Sequence, residues 1–195
     1  MERYRYRIRH RKLSPFHLLA HLDVYRMWER AFRRAGIPVM YSQGFNPRPL
    51  FSFPFATPLG VESKAECFEV FCREPIPPWE LGEKLSLEVP QELGIEEVSA
   101  LASFDPPLQK VMQGIVYSFF FRELPPEELP PLPKGIVLLG TSRRVPSMVS
   151  FLFEGERLLW NPLKLASLLV GEYNFPFPER IQKERIVLRG ERNGG

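Results

Sequence analysis

The residues best suited to contact a ligand lie in residues 41–49, which read Y-S-Q-G-F-N-P-R-P. Gly44 can adopt a positive φ, and prolines on both sides restrict the backbone of Arg48. A loop that is already rigid loses little entropy on binding, so Phe45 and Arg48 are well placed to hold a ligand. A stiff connection between two strands would need the same turn residues, and this alternative stays open.

Histidines form the second group with chemical potential, because His10, His17 and His21 fall within twelve residues. On a helix, His17 and His21 could face a metal ion together with Asp23. His21 could instead act as a general acid or base in RNA cleavage. A structural histidine that hydrogen-bonds to Asp23 or a loop carbonyl is favoured over both. We therefore expect no metal and no cofactor.

A row of arginines alternates with apolar residues at the start of the chain. In a strand, alternate residues share a face, so these guanidinium groups would lie about 6.6 Å apart and suit successive phosphates. Ten glutamates between residues 62 and 97 could neutralise the row instead. The row consists of Arg3, Arg5, Arg7, Arg9 and Arg11.

A helix predicted over residues 24–35 carries a further basic group, Arg30, Arg33 and Arg34. Cations in a last helical turn also favourably meet the helix dipole, so this group has a second explanation. Residues 1–50 carry eleven Arg or Lys against three acids, whereas residues 51–130 carry five against fourteen. This segregation points to a polyanionic partner.

Hydrophobic periodicity predicts an α+β fold of tandem ferredoxin-like βαββαβ units with antiparallel sheets. Residues 1–102 form the first domain, 103–110 a linker, and 111–195 a second domain that we expect to be ferredoxin-like. The predicted first-half strands cover residues 3–11, 37–41, 50–56, 67–72 and 95–102, and its second helix covers 77–87. In the second half we expect a helical turn at 125–129 and a helix at 162–170.

The composition favours a cytoplasmic protein without membrane segments. No apolar stretch approaches the roughly 18 residues of a membrane span, and the basic start lacks the apolar centre of a signal peptide. Cys67 and Cys72 lie five residues apart in a predicted strand, so they point to opposite faces and cannot bridge each other. We expect both to be small buried side chains.

Several motifs, in this order, resemble the family of radical-SAM-linked proteins of unknown function. They are H-L-D at 21–23, R-A-F-R-R-A-G-I-P at 30–38, the 41–49 segment, and P-L-G-V-E at 58–62. Family members usually carry a serine where Ala20 stands. The family-motif residues are His21, Asp23, Tyr41, Ser42, Gly44, Phe45, Asn46, Pro47 and Pro49.

The resemblance implies a radical SAM enzyme as partner. This chain would not be that enzyme itself, because its two cysteines cannot supply the three thiolates that hold the enzyme's iron–sulfur cluster. We therefore expect an accessory protein, not itself an enzyme, that presents structured RNA to that enzyme. RNA is preferred to DNA because members of the resembled family are often encoded near ribonuclease and ribosomal-protein genes. One alternative is a metal-independent RNA endonuclease, similar to those that process CRISPR repeats, which would use His21 or His17 with Arg48. The other is a pure protein-interaction scaffold.

Overall fold

The computed structural model describes residues 3–144, 146–154 and 161–188 of the 195-residue chain. It has a mixed α/β architecture in which most strand pairs are antiparallel. The chain divides into two compact units. Unit 1 comprises Met1–Leu59 and Ala65–Lys110, and unit 2 comprises Gly60–Lys64 and Val111–Gly195.

Unit 1 follows the predicted chain order of strand, helix, strand, strand, helix, strand. Its strand order is β4-β1-β3, with β2 paired to β3. The strand predicted near residues 37–41 is reduced to isolated bridges at Val39 and Tyr41. The elements are β1 (Tyr4–Lys12), α1 (His21–Arg34), β2 (Phe51–Ser52), β3 (Glu62–Cys72), α2 (Pro78–Ser86) and β4 (Ile95–Leu101).

The core of unit 1 lies between the sheet and its helices. Tyr6, Ile8 and His10 alternate along β1 and are buried, as the strand pattern predicts. On α1, an apolar stripe is buried around Trp28, which is fully inaccessible. The rings of His10 and Trp28 meet edge to face with 4.8 Å between centroids, and His10 Nδ1 lies 2.9 Å from Arg11 O. His10 is therefore a packing residue.

The two cysteines occupy β3 as expected. Both Cys67 and Cys72 are free thiols with buried side chains. Burial raises the pKa of the Cys72 thiol to about 12, because an apolar surrounding disfavours the thiolate. Their predicted role as small buried side chains is confirmed.

In unit 2, four strands pair antiparallel in the order β8-β5-β7-β6. Glu62 and Ser63, the first residues of β3, belong to this unit and pair in parallel with β8. A short helix, α3 (Leu108–Val111), precedes β5. The remaining elements are β5 (Met112–Phe121), β6 (Ile136–Ser142), β7 (Ser147–Glu154), α4 (Pro162–Tyr173) and β8 (Arg180–Leu188).

The helical turn predicted at residues 125–129 is wrong, because residues 122–135 contain only bends, a turn and irregular backbone. Five prolines fall between residues 125 and 133. Each proline lacks an N–H and excludes the residue before it from the helical region. The helix predicted at 162–170 is confirmed as α4, where Asn161 Oδ1 accepts a hydrogen bond from the Leu163 N–H at 3.0 Å.

Aromatic pairs across β5 and β7 make up much of the unit 2 core. Phe119 packs against Phe151 with 5.3 Å between ring centroids, and Tyr117 against Phe153 with 5.0 Å. All four side chains are fully buried, so these residues of β5 serve the core.

Across the described ranges, no helix combines the length and the apolar character that crossing a membrane requires.

Candidate functional site

The 41–49 loop is closed at its base by hydrogen bonds between its two ends. The Ser42 N–H donates to Arg48 O at 2.8 Å, and the Arg48 N–H donates to Ser42 Oγ at 3.0 Å. An isolated bridge joins Tyr41 to Pro49. Gly44 adopts φ +127°, a conformation that side-chain-bearing residues rarely take. The loop is therefore a defined turn, and Ser42 supplies a side-chain bond that helps to hold it.

Phe45 projects from the tip of this loop. Its relative exposure is 106%, the highest among the exposed large hydrophobic residues in the described chain. Asn46, Pro47 and Arg48 are exposed beside it, and Tyr41 is 37% exposed. An aromatic ring held in solvent next to a guanidinium group is available for stacking and for charge contacts.

Tyr25 of α1 fastens the loop to the helix, a role that the sequence analysis missed. Its hydroxyl donates to Pro49 O at 2.9 Å, and its ring packs on Phe51 at 5.3 Å. The pKa of Tyr25 is raised, mainly by burial of its hydroxyl and also by the nearby Glu29 carboxylate. The positive charge of Arg48 acts in the opposite direction and lowers this pKa. Arg48 therefore lies within electrostatic range of α1. The available signal was the position of Tyr25, one helical turn after the motif histidine.

The basic residues of α1 differ in their availability. Arg34 Nε lies 2.5 Å from Glu88 Oε2, and Arg34 also donates to Glu88 O. Arg30 and Arg33 are exposed and form no ion pair with any residue of the described chain. Arg30, Arg33 and Arg48 are thus the available cations of this part of unit 1.

The arginine row of β1 is largely engaged by the protein itself. Arg7 binds Glu69 at 2.8 Å, Arg9 binds Glu97 at 3.3 Å, and Arg11 binds Glu96 at 3.4 Å. Arg5 donates to the backbone oxygens of Ala102 and Asp105. Arg3 is exposed.

The arginine row and the 41–49 loop lie on different faces. The alternate β1 residues, including His10, pack towards α1, so the arginines point to the opposite face of the strand. The loop is attached on the α1 side through Tyr25. The two basic elements do not form one continuous surface.

His21 begins α1 and is exposed, while its ring packs edge-on against Phe53 with 5.0 Å between centroids. Burial of part of the ring lowers its pKa, the Glu66 carboxylate opposes this, and the Lys12 charge reinforces it. Burial therefore favours the neutral form of the His21 imidazole. Below it lies a buried polar group in which Thr57 Oγ1 donates to Glu66 Oε1.

The other residues considered for a metal or catalytic site are His17 and Asp23. His17 sits in a short 3-10 turn (Phe16–Leu18) with its Nδ1 buried. Asp23 lies in the first turn of α1, 3.8 Å from Arg26. Among the described residues, no group of three or more His, Cys, Asp or Glu side chains could hold a metal ion.

The arrangement as a whole is suited to binding. A fixed aromatic ring can stack on a planar group, and neighbouring guanidinium groups can contact its anionic substituents. These features are carried by the loop and by α1.

Comparison with known proteins gives a family but no activity. No curated protein matches the chain. One family model matches residues 5–137, which is more than half of the chain and includes β1, α1 and the 41–49 loop. The chain therefore belongs to the bacterial family described as "Uncharacterized protein conserved in bacteria (DUF2344)".

Proposed function

We propose that this protein is a non-catalytic accessory protein that binds structured RNA and presents it to a radical SAM enzyme. The observation that carries the proposal is Phe45, a fully exposed ring on a loop whose ends are joined by the Ser42 and Arg48 hydrogen bonds. Unpaired RNA bases are commonly bound by stacking on aromatic side chains. The radical SAM enzyme rests on the motif resemblance alone.

The binding surface in this proposal consists of the 41–49 loop and the exposed arginines of α1. Arg48, Arg30 and Arg33 supply charges that no described acid neutralises. By contrast, Arg7 and Arg9 are held by Glu69 and Glu97. An RNA ligand would therefore meet the loop and helix, and β1 would contribute little to its affinity.

We also propose that the two units are related ferredoxin-like folds. In unit 1 the chain order is βαββαβ and the strand order is β4-β1-β3-β2. In unit 2 the four strands have the equivalent order β8-β5-β7-β6 with antiparallel pairing, but a proline-rich segment replaces the first helix. Both orders agree with the ferredoxin-like arrangement, which leaves one sheet face without helices.

The first test is fluorescence anisotropy with transfer-RNA and ribosomal-RNA fragments, over salt concentrations from about 50 to 200 mM. Phe45→Ala should weaken binding roughly 5- to 150-fold, in line with the stacking energy of one base. Arg48→Ala should reduce affinity and lower the salt slope by about 0.7 to 0.9. Arg9→Ala removes the same charge from an exposed, acid-paired position and should leave affinity unchanged.

Failure to retain any RNA at the lowest salt would refute the proposal. If Arg48→Ala and Arg9→Ala lose the same amount of RNA affinity, the RNA is attracted by the overall positive charge and not by a defined site. The same samples are run on a denaturing gel. Cleavage that disappears in His21→Ala would replace the proposal with the endonuclease alternative.

A protein-interaction scaffold is the second candidate, and the engaged arginine row favours it. The scaffold hypothesis requires Arg3, Arg5, Arg7 and Arg9 to be paired by acids of this chain or its partner, and Arg7 and Arg9 have such acids within unit 1. Under this hypothesis Phe45 would dock into a pocket of the partner enzyme. A complex with the enzyme that resists salt, together with no RNA binding, would select it.

A further inference from the structure

Strand β6 forms one edge of the unit 2 sheet. It pairs with β7 on one side, and no strand in the described part of the chain pairs with its other side. Five consecutive residues, 137–141, are exposed. Val137, Leu138 and Leu139 are exposed by 45%, 38% and 42%.

This edge lacks the usual protection against pairing. Edge strands normally carry charged residues or prolines that discourage another strand from joining them. Residues 135–142 contain neither, and they read G-I-V-L-L-G-T-S. The one protective feature is the irregular register between Leu138 and Gly140. Because neighbouring residues of a strand point to opposite faces, both faces of this edge are apolar.

The ends of the strand are basic. Lys134 precedes β6, and Arg143 and Arg144 follow it, all three of them exposed. Only Arg143 has a described acidic partner, Glu127, at 3.8 Å, and the Glu127 side chain is itself 87% exposed. An uncharged, apolar strand is thus bracketed by cations.

We propose that β6 binds an extended segment of another protein as an added strand, and that this segment is apolar at its centre and acidic at its ends. The unpaired backbone N–H and C=O groups of β6 specify an extended partner, since only such a partner can satisfy them in sequence. The three flanking cations specify acids at both ends. This surface belongs to unit 2 and is independent of the RNA site.

A second copy of this chain fits the edge less well. If two β6 strands paired antiparallel, the Lys134 end of one would lie beside the Arg143 and Arg144 end of the other. The same juxtaposition would occur at both ends of the pair, and like charges at neighbouring cross-strand positions are destabilising. An acidic partner turns both contacts into attractive ones.

The test uses the full chain and two synthetic peptides with the centre Val-Thr-Val-Thr-Val, one flanked by paired glutamates and the other by paired lysines. Amide hydrogen exchange followed by NMR should slow at least tenfold at those amides of residues 137–141 that point away from β7 when the glutamate peptide saturates the protein. The lysine peptide should bind at least fivefold more weakly. Equal binding of the two peptides, or no change in exchange with either, overturns the proposal.

Two variants complete the experiment. Val137→Lys places a charge on the exposed edge and should abolish exchange protection by the glutamate peptide. Leu163→Lys is the matched control, since Leu163 of α4 is 39% exposed and lies off the strand. Its binding should equal that of the original protein. A concentration-dependent dimer in analytical ultracentrifugation that Val137→Lys dissociates would show a second copy at this edge and refute the proposed partner.

Discussion

Removing the carboxylate of Glu69 should strongly destabilise unit 1. Glu69 Oε1 accepts hydrogen bonds from Arg7 Nη2 at 2.8 Å, Arg7 Nε at 3.2 Å and the Leu108 N–H at 3.1 Å. The Glu69 side chain is 3% exposed and that of Arg7 is 17% exposed. In Glu69→Ala, a mostly buried guanidinium would lose its carboxylate partner and a buried backbone N–H would lose its acceptor.

The expected loss follows from this burial. Breaking a buried ion pair by removing one partner costs about 3–5 kcal/mol. With a urea m-value of about 2 kcal/mol/M, the unfolding midpoint should fall by roughly 1.5–2.5 M. Glu69→Gln keeps an acceptor for the Leu108 N–H, so its free energy of unfolding should fall by about half as much as that of Glu69→Ala. In the double variant Arg7→Met, Glu69→Met, no charge is left buried, so it should be more stable than Glu69→Ala.

Urea unfolding followed by tryptophan fluorescence provides the assay, because Trp28 and Trp79, two of the three tryptophans, lie in unit 1. The midpoints of the three variants should rank with the double methionine variant above Glu69→Ala. If Glu69→Ala unfolds within about 0.5 kcal/mol of the original protein, the pair contributes nothing measurable. Arg7 would then be available to a ligand, and the division between the arginine row and the loop would be wrong.

Three further outcomes are expected. Gly114→Ala should lower the free energy of unfolding by about 1–3 kcal/mol in a thermal unfolding experiment, because a Cβ there would meet a backbone oxygen at 2.7 Å. Gly140→Ala is the control: a Cβ at that position meets nothing within 4 Å, so the free energy of unfolding should not change. The pKa of His21 is lower in the folded protein, so the unfolded chain binds a proton at higher pH than the folded protein does. The stability of the protein should therefore fall as the pH drops below about 6.5. His21→Gln should flatten that part of the curve of Tm against pH. Native Cys67 and Cys72 should not react with a thiol reagent at pH 8, while both react in urea; fast native labelling would contradict their burial.

Local patterns predicted β1 and α1 of unit 1, whereas the strand predicted at 50–56 is reduced to Phe51–Ser52. The alternation along β1 and the apolar stripe of α1 are properties of contiguous residues, so they can be read directly from the chain. The same holds for the start of α2, since Pro78 favours a first helical position. The rigid character of the 41–49 loop also followed from its glycine and prolines.

Long-range partners could not be predicted in the same way. The arginine row has an obvious spacing, but whether it binds a ligand depends on Glu69, which lies 62 residues away from Arg7. The attachment of the loop depends on Tyr25, whose hydroxyl finds Pro49 only after the chain folds. Pairings of this kind are set by tertiary packing, which a propensity argument does not contain.

The order of strands in unit 2 has a consequence for synthesis on the ribosome. Strand β5 is the most aromatic of its sheet, and one of its two neighbours, β8, is made about 60 residues later. At about 5–20 residues per second, that edge of β5 stays unpaired for several seconds after the strand emerges. Loop-closure entropy also makes such distant antiparallel pairing slow. A chaperone that shields residues 115–121 until β8 arrives would therefore raise the yield of folded protein.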